Sequence, residues 1–72
     1  MQQLDLRNKS CEEFIVELSK YLVSMKAGET ITLLAEKDRV LCLHQLLRNA
    51  PRYLFNYEDK EDNVVINIKR LR

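Results

Sequence analysis

The stretch LDLRNKSCEEF, residues 4–14, decides how this chain begins to fold. Leu4 and Leu6 alternate with charged residues, which is the period-two pattern of a strand with one buried face. We therefore expect a short strand from Gln3 to Arg7. The polar letters NKS that follow are typical of a turn, so a turn should separate this strand from the next element.

The second half of the same stretch contains the start of a helix. Ser10 is followed three residues later by Glu13, which is the spacing of a capping box. A helix is predicted from Cys11 to Met25, because apolar residues recur there on one helical face. These residues are Phe14, Ile15, Leu18, Tyr21, Leu22 and Met25. A lysine and then Gly28, which suits a left-handed cap, predict the end of this helix.

The rest of the chain continues with the same two kinds of pattern. Three further strands are predicted over residues 29–36, 53–58 and 63–69. Asp38 is a good N-cap for a second helix over about Arg39 to Asn49. Pro51 should stop that helix, because the residue before a proline avoids the helical region.

The resulting order, β-α-β-α-β-β, favours the α/β class. We expect a two-layer α/β sandwich in which a four-stranded sheet carries both helices on one face. The whole chain, residues 1–72, should form this single domain, because its length allows no more than one. The other face of the sheet should be wet, since the residues predicted there are polar. They are Asp5, Arg7, Thr30, Thr32, Asn56 and Lys69.

Composition narrows the classes of function. The net charge is +1, from 12 basic and 11 acidic side chains, so binding of nucleic acid through phosphate neutralisation is not expected. No apolar run approaches the roughly 20 residues of a transmembrane helix, and the N-terminal residues lack the blocks of a signal peptide. Two cysteines without a secretion signal do not make a disulfide framework. We therefore expect a cytoplasmic protein with both thiols free and no membrane partner.

Two segments of the chain resemble a known family. The segment LDLRNKSC before an amphipathic helix, and then MKAGETITLLAEKD, are similar to the TusA/SirA-like family of small sulfur-carrier proteins. In that family a strand beginning Leu-Asp leads to a Cys-Pro-x-Pro motif at the start of the first helix, and a Gly-Glu turn leads to the second strand. The matching residues are Leu4, Asp5, Leu6, Arg7, Cys11, Gly28, Glu29 and Asp38.

The resemblance implies a function for Cys11. It corresponds to the cysteine that carries a persulfide sulfur, which implies a sulfur-donor protein such as a cysteine desulfurase and a downstream sulfur acceptor as partners. The resemblance implies a stoichiometric carrier, a carrier-type sulfurtransferase at most, more than an enzyme with turnover of its own. The family's two motif prolines are replaced here by Glu12 and Phe14, and Arg39 stands where a proline would follow Asp38. A second hypothesis therefore stays open, in which a divergent member serves as a regulatory or protein-binding module.

Cys11 itself also has two interpretations. It is either the persulfide-bearing nucleophile, favoured as a thiolate by the helix N-terminus and Lys9, or a small apolar residue on the buried side of the helix. Carboxylates at Glu12 and Glu13 disfavour a second negative charge beside them. Cys42 is predicted to be a partly buried structural residue, and the alternative is a resolving partner for Cys11. One histidine and two distant cysteines do not make a zinc pattern, so neither a metal site nor a cofactor site is expected.

Two further groups of residues have both a structural and a functional interpretation. Tyr53, Phe55 and Tyr57 share one face of a predicted strand, where they either pack under the helices or stack on bases. Packing is the favoured interpretation, because a base-stacking face would turn polar residues inward. Val16 and Val23 lie on the outer face of the first helix, as isolated exposed residues or as part of a docking stripe for a partner protein.

Overall fold

The computed structural model describes residues 3–72 and confirms the α/β order of elements. The elements are β1 (Gln3–Asp5), α1 (Cys11–Ser24), β2 (Thr30–Ala35), α2 (Arg39–Leu47), β3 (Tyr53–Asp59) and β4 (Val64–Arg70). The four strands form one sheet in the order β1-β2-β4-β3. β1 runs parallel to β2, whereas β4 is antiparallel to both of its neighbours. The fold is the expected two-layer sandwich.

The hydrophobic core lies between the helices and one face of the sheet. Alternate residues of the two central strands point into it, which confirms the period-two patterns in β2 and β4. The most deeply enclosed large side chains are Phe14, Leu18, Leu33, Leu43, Val64, Ile66 and Ile68. Burial of each contributes about 1.5–3 kcal/mol to stability, so these few side chains contribute much of what holds a small domain together.

The predicted capping box is present at the start of α1. The backbone N–H of Glu13 donates to Ser10 Oγ over 3.2 Å, and the N–H of Ser10 donates to Glu13 Oε1 over 3.1 Å. The two bonds satisfy backbone donors that the first helical turn leaves free. They fix the direction in which the chain enters the helix, immediately before Cys11.

The end of α1 differs in detail from the prediction. The helix ends at Ser24, and Met25 has extended backbone angles and a buried side chain. Gly28 does adopt a left-handed conformation, with φ of +90°, but it does so in the following turn and does not cap the helix. The N–H of Glu29 closes this turn on the carbonyl of Lys26 over 3.0 Å. The reason is that burial of Met25 extends the chain before a glycine cap can form.

Helix α2 begins as predicted and ends two residues early. Its start at Arg39 is correct, but Asp38 has helical backbone angles and its side chain makes no capping hydrogen bond. Its carboxylate instead lies 3.2 Å from the Arg39 guanidinium. The helix ends at Leu47, because the chain turns there and the N–H of Ala50 donates to the Leu47 carbonyl over 3.1 Å. The turn therefore precedes the proline that was expected to stop the helix.

The open face of the sheet is less polar than predicted. Thr32 Oγ1 donates to Asn67 Oδ1 over 2.7 Å, and Asn67 Nδ2 donates to Asn56 Oδ1 over 3.2 Å, which forms a polar row across three strands. Strand alternation also places Leu34, Val65 and Leu54 on this face. β1 ends at Asp5, and Arg7, which was predicted in the strand, lies beyond it and pairs with that aspartate.

Two of the three aromatic residues in β3 pack as expected. Tyr53 and Phe55 are partly buried against the core, and the Tyr53 hydroxyl donates to the Leu22 carbonyl over 2.9 Å. Tyr57 is 45% exposed, so the prediction of packing fails for it. Within residues 3–72, no helix is long and apolar enough to cross a membrane.

Candidate functional site

The two cysteines of the chain meet where the two helices begin. Cys11 is the first residue of α1, and Cys42 lies one turn into α2. They are 31 residues apart in sequence, but their Cα atoms are 5.9 Å apart and their sulfur atoms are joined in a disulfide. The prediction that both thiols are free is therefore wrong. Cys42, which was predicted to be only partly buried, belongs to the buried core.

The topology of the sheet explains why these cysteines meet. β1 and β2 are adjacent and parallel, and each is followed by a short loop and a helix on the same side of the sheet. In such an arrangement, the starts of the two helices lie over the same end of the sheet. Cys11 and Cys42 have related positions in the two strand–helix units, each close to the start of its helix.

Hydrogen bonds between the two strand–helix loops hold the helix starts together. The backbone N–H of Asn8 donates to Glu36 Oε1 over 2.8 Å, and Asn8 reaches this place with φ of 66°. Arg39 Nε donates to the Lys9 carbonyl over 2.8 Å, with its side chain only 19% exposed. Arg39 therefore ties α2 to the segment that leads into Cys11. Sequence reasoning missed this role, because a lone arginine does not indicate which carbonyl it will reach.

The two sulfurs differ in how far solvent reaches their residues. Cys11 is partly exposed at the start of its helix, whereas Cys42 retains only 7% of its accessible surface. A reagent or a partner protein that approaches from solvent therefore meets Cys11 first.

The charges around Cys11 are of both signs. The first residue of a helix lies at the positive end of the helix dipole, which favours an anionic sulfur. Of the two neighbouring carboxylates, Glu13 is held by the Ser10 backbone N–H. This bond from the Ser10 backbone, then a hydrogen bond from the Ser10 side chain and the charge of Lys9, lower the pKa of Glu13 below its ordinary value. Glu13 is therefore committed to capping, although both it and Glu12 are exposed.

A shallow depression lies on the outer side of the start of α1, and neither cysteine lines it. Its volume is about 240 Å³, and its lining consists of Lys9, Glu12, Glu13, Val16 and Glu17. Val16 is 55% exposed and Val23 is 80% exposed, so the predicted outward orientation of both valines is confirmed. The lining of this depression combines one apolar residue with charges of both signs.

The remaining polar features do not form a second chemical centre with the cysteines. A larger open depression of about 750 Å³ lies between Arg7, Glu36, Asp38 and Asp62, and neither cysteine lines it. His44 is exposed and makes an edge-on contact with Phe55, with 5.0 Å between the ring centroids. Within residues 3–72, no group of three or more His, Cys, Asp and Glu side chains is arranged to hold a metal ion.

The site therefore consists of a partly exposed cysteine, a buried cysteine bonded to it, and the loops that align them. The chemistry that two such sulfurs support is thiol–disulfide exchange. Comparison of the chain with protein-family models, with curated proteins and with solved structures finds no match.

Proposed function

We propose that this protein is a small sulfur carrier that accepts a persulfide sulfur on Cys11. The observation that carries the proposal is the position of Cys11, which is partly exposed at the first residue of α1. The sulfur donor is a protein persulfide, such as that of a cysteine desulfurase. A downstream sulfur acceptor then takes the sulfur from Cys11.

The loading step is a simple exchange. The Cys11 thiolate attacks the outer sulfur of the donor persulfide, and a new S–S bond forms while the donor's own S–S bond breaks. The donor cysteine leaves as a thiolate, and Cys11 becomes the persulfide, so no external oxidant is needed. This step requires the reduced form of the chain, because in the disulfide the Cys11 sulfur has no free valence.

The loop geometry supports the proposal despite the absence of motif prolines. Prolines in a first helical turn fix how the chain enters the helix. Here the Ser10–Glu13 capping box and the bond from Arg39 to Lys9 constrain the same segment. The thiol is therefore held in place by hydrogen bonds instead of by pyrrolidine rings.

The cytoplasm is the compartment that this proposal assigns. In that environment disulfides are rare, and those that form are usually transient and catalytic or redox-sensing. The Cys11–Cys42 pair would then be a dithiol for most of its lifetime, with Cys11 open to the donor. The same placement requires neither a membrane nor a nucleic acid as partner.

Intact-mass spectrometry tests the proposal directly. The protein is reduced, freed of reductant and incubated with a sulfur-loaded cysteine desulfurase, with Cys11→Ala and Cys42→Ala beside the wild type. We expect Cys42→Ala to gain the mass of one sulfur atom and Cys11→Ala to gain nothing. Thiosulfate and polysulfide serve as alternative donors. If folded Cys42→Ala stays unmodified with all three donors, the carrier function is wrong.

A protein-binding module is the second candidate, and the exposed valines of α1 favour it. Val16 and Val23 lie on the solvent side of the helix that begins at Cys11, and the Cys11–Cys42 bond would then serve as a permanent cross-link. The two functions predict different reactivities of the reduced chain. Fast alkylation of Cys11 in the native state favours the carrier, and alkylation only after unfolding favours the module.

A further inference from the structure

The position of Cys42 suggests a step after loading, and this inference rests on the proposed carrier function. We propose that Cys42 is a resolving thiol, which attacks the Cys11 persulfide and releases its outer sulfur as hydrosulfide. The chain would then deliver sulfur in two ways, either directly to an acceptor that reaches Cys11 or as free sulfide when none does.

Distance is the first argument for this step. Cysteines form a disulfide without backbone movement when their Cα atoms are about 4.4–6.8 Å apart. Cys11 and Cys42 are 5.9 Å apart at Cα and are already bonded. The inner sulfur of a persulfide on Cys11 is the same Sγ atom, so the Cys42 sulfur reaches it along the path that the disulfide occupies.

Burial is the second argument. Cys42 is 7% exposed, so a donor protein of any size meets Cys11 and not Cys42. The two thiols are thereby assigned different tasks: Cys11 exchanges sulfur with partners, and Cys42 reacts only within the chain. The bond from Arg39 to the Lys9 carbonyl keeps the two helix starts together while this happens.

The step balances without an external oxidant. The Cys42 thiolate attacks Cys11 Sγ, the Sγ–Sγ bond forms, and the bond from Cys11 Sγ to the outer sulfur breaks. The outer sulfur takes both electrons of that bond and leaves as HS⁻, while the two cysteine sulfurs are oxidised to the disulfide. A dithiol reductant of the thioredoxin class then returns the disulfide to two thiols and completes the cycle.

A single-turnover experiment tests the inference. Reduced protein is mixed, in the absence of oxygen and reductant, with a sulfur-loaded desulfurase from which the free cysteine substrate has been removed. The released sulfide is followed with an electrode, and the intact mass of the protein is measured at intervals. For the wild type we expect one sulfide per accepted sulfur and a final mass lower by two hydrogen atoms, which is the disulfide. For Cys42→Ala we expect a stable adduct of one sulfur and at least a tenfold slower release of sulfide.

Two controls make every outcome decisive. Cys42→Ser repeats the test with a second replacement, and circular dichroism shows whether each variant is folded. If the wild type and both Cys42 variants keep the adduct equally and release no sulfide, the resolving role is wrong while the carrier function stands. Equal release of sulfide from the wild type and both Cys42 variants also contradicts the resolving role of Cys42. If no folded variant that retains Cys11 is loaded by the desulfurase, by thiosulfate or by polysulfide, the carrier function itself fails.

Discussion

Ser10 is the residue whose single side chain most directly sets the geometry at Cys11. Its hydroxyl accepts the Glu13 N–H, so Ser10→Ala leaves a backbone donor of the first turn without its partner. We expect a loss of about 1 kcal/mol in the free energy of unfolding. Urea denaturation followed by circular dichroism measures it. Ser19→Ala, in the middle of the same helix, is the matched control, and a loss as large there would remove the special role of the cap.

The ion pair of Asp5 and Arg7 makes the stability of the folded protein depend on pH. The hydrogen bond from the Arg7 side chain, followed by that from the Arg7 backbone, lowers the pKa of Asp5 from 3.8 to about 2. A carboxylate with a lowered pKa in the folded state stabilises it above the unfolded value of 3.8, and this stabilisation is lost as the pH falls through about 2. Both side chains are about half exposed, so solvent screens the effect and it is small.

Asp5→Asn tests this dependence, because asparagine keeps the shape of the side chain and cannot titrate. We expect the wild type to lose more stability than the variant between pH 5 and pH 2, and the two to differ little in slope above pH 5. Thermal unfolding at a series of pH values measures both slopes. Parallel curves for the two proteins over the acid range would show that the pair does not contribute.

At the scale of the elements, short-range patterns predicted the fold and long-range contacts completed it. The capping box could be predicted because all its atoms belong to residues 10–13, and β4 because its alternation is local. The Cys11–Cys42 pair could not, because it depends on how two loops lie across neighbouring strands. The prediction that Asp38 caps the second helix was wrong because the backbone of Asp38 is helical and its carboxylate pairs with the next residue.

Arg39 connects two helical elements of the fold, and substitution tests how much this connection contributes to stability. Its Nε–H bond to the Lys9 carbonyl joins α2 to the segment leading into α1, and a hydrogen bond from a charged donor is worth about 1.5–3 kcal/mol. We expect Arg39→Ala to lower the free energy of unfolding by an amount near the lower end of this range. We also expect faster alkylation of Cys11 in the reduced chain, because the loop before it is released. Arg48→Ala, on an exposed site just after the same helix, is the control. An equal effect of both replacements would mean that only net charge matters.

At the scale of the whole molecule, a chain of 72 residues has a thin core. A domain of this size buries only about 60% of the surface of its unfolded chain, so a single cross-link changes its stability appreciably. The order of the elements and the two-layer architecture follow from periodicity in the sequence. What periodicity does not show is that the one covalent cross-link joins the starts of the two helices.

Reduction of the Cys11–Cys42 bond is expected to lower the stability of the whole domain. The bond closes a loop between residues 31 apart, and the chain-entropy relation for a loop of this length gives about 3–4 kcal/mol of stabilisation. We therefore expect a lower urea midpoint after reduction. Urea denaturation of the wild type with and without a dithiol reductant measures the difference.

Cys42→Ala is the control that isolates the cross-link, because it lacks the bond under both conditions. Its midpoint should not respond to the reductant and should lie somewhat below that of the reduced wild type, because the replacement also removes a buried sulfur atom from the core. The result also bears on function, since the carrier must be folded while Cys11 is a free thiol. A reduced chain that is cooperatively folded without denaturant is compatible with sulfur transfer at Cys11. A reduced chain that is already unfolded there would make the disulfide a structural cross-link and leave the protein-binding module as the better account.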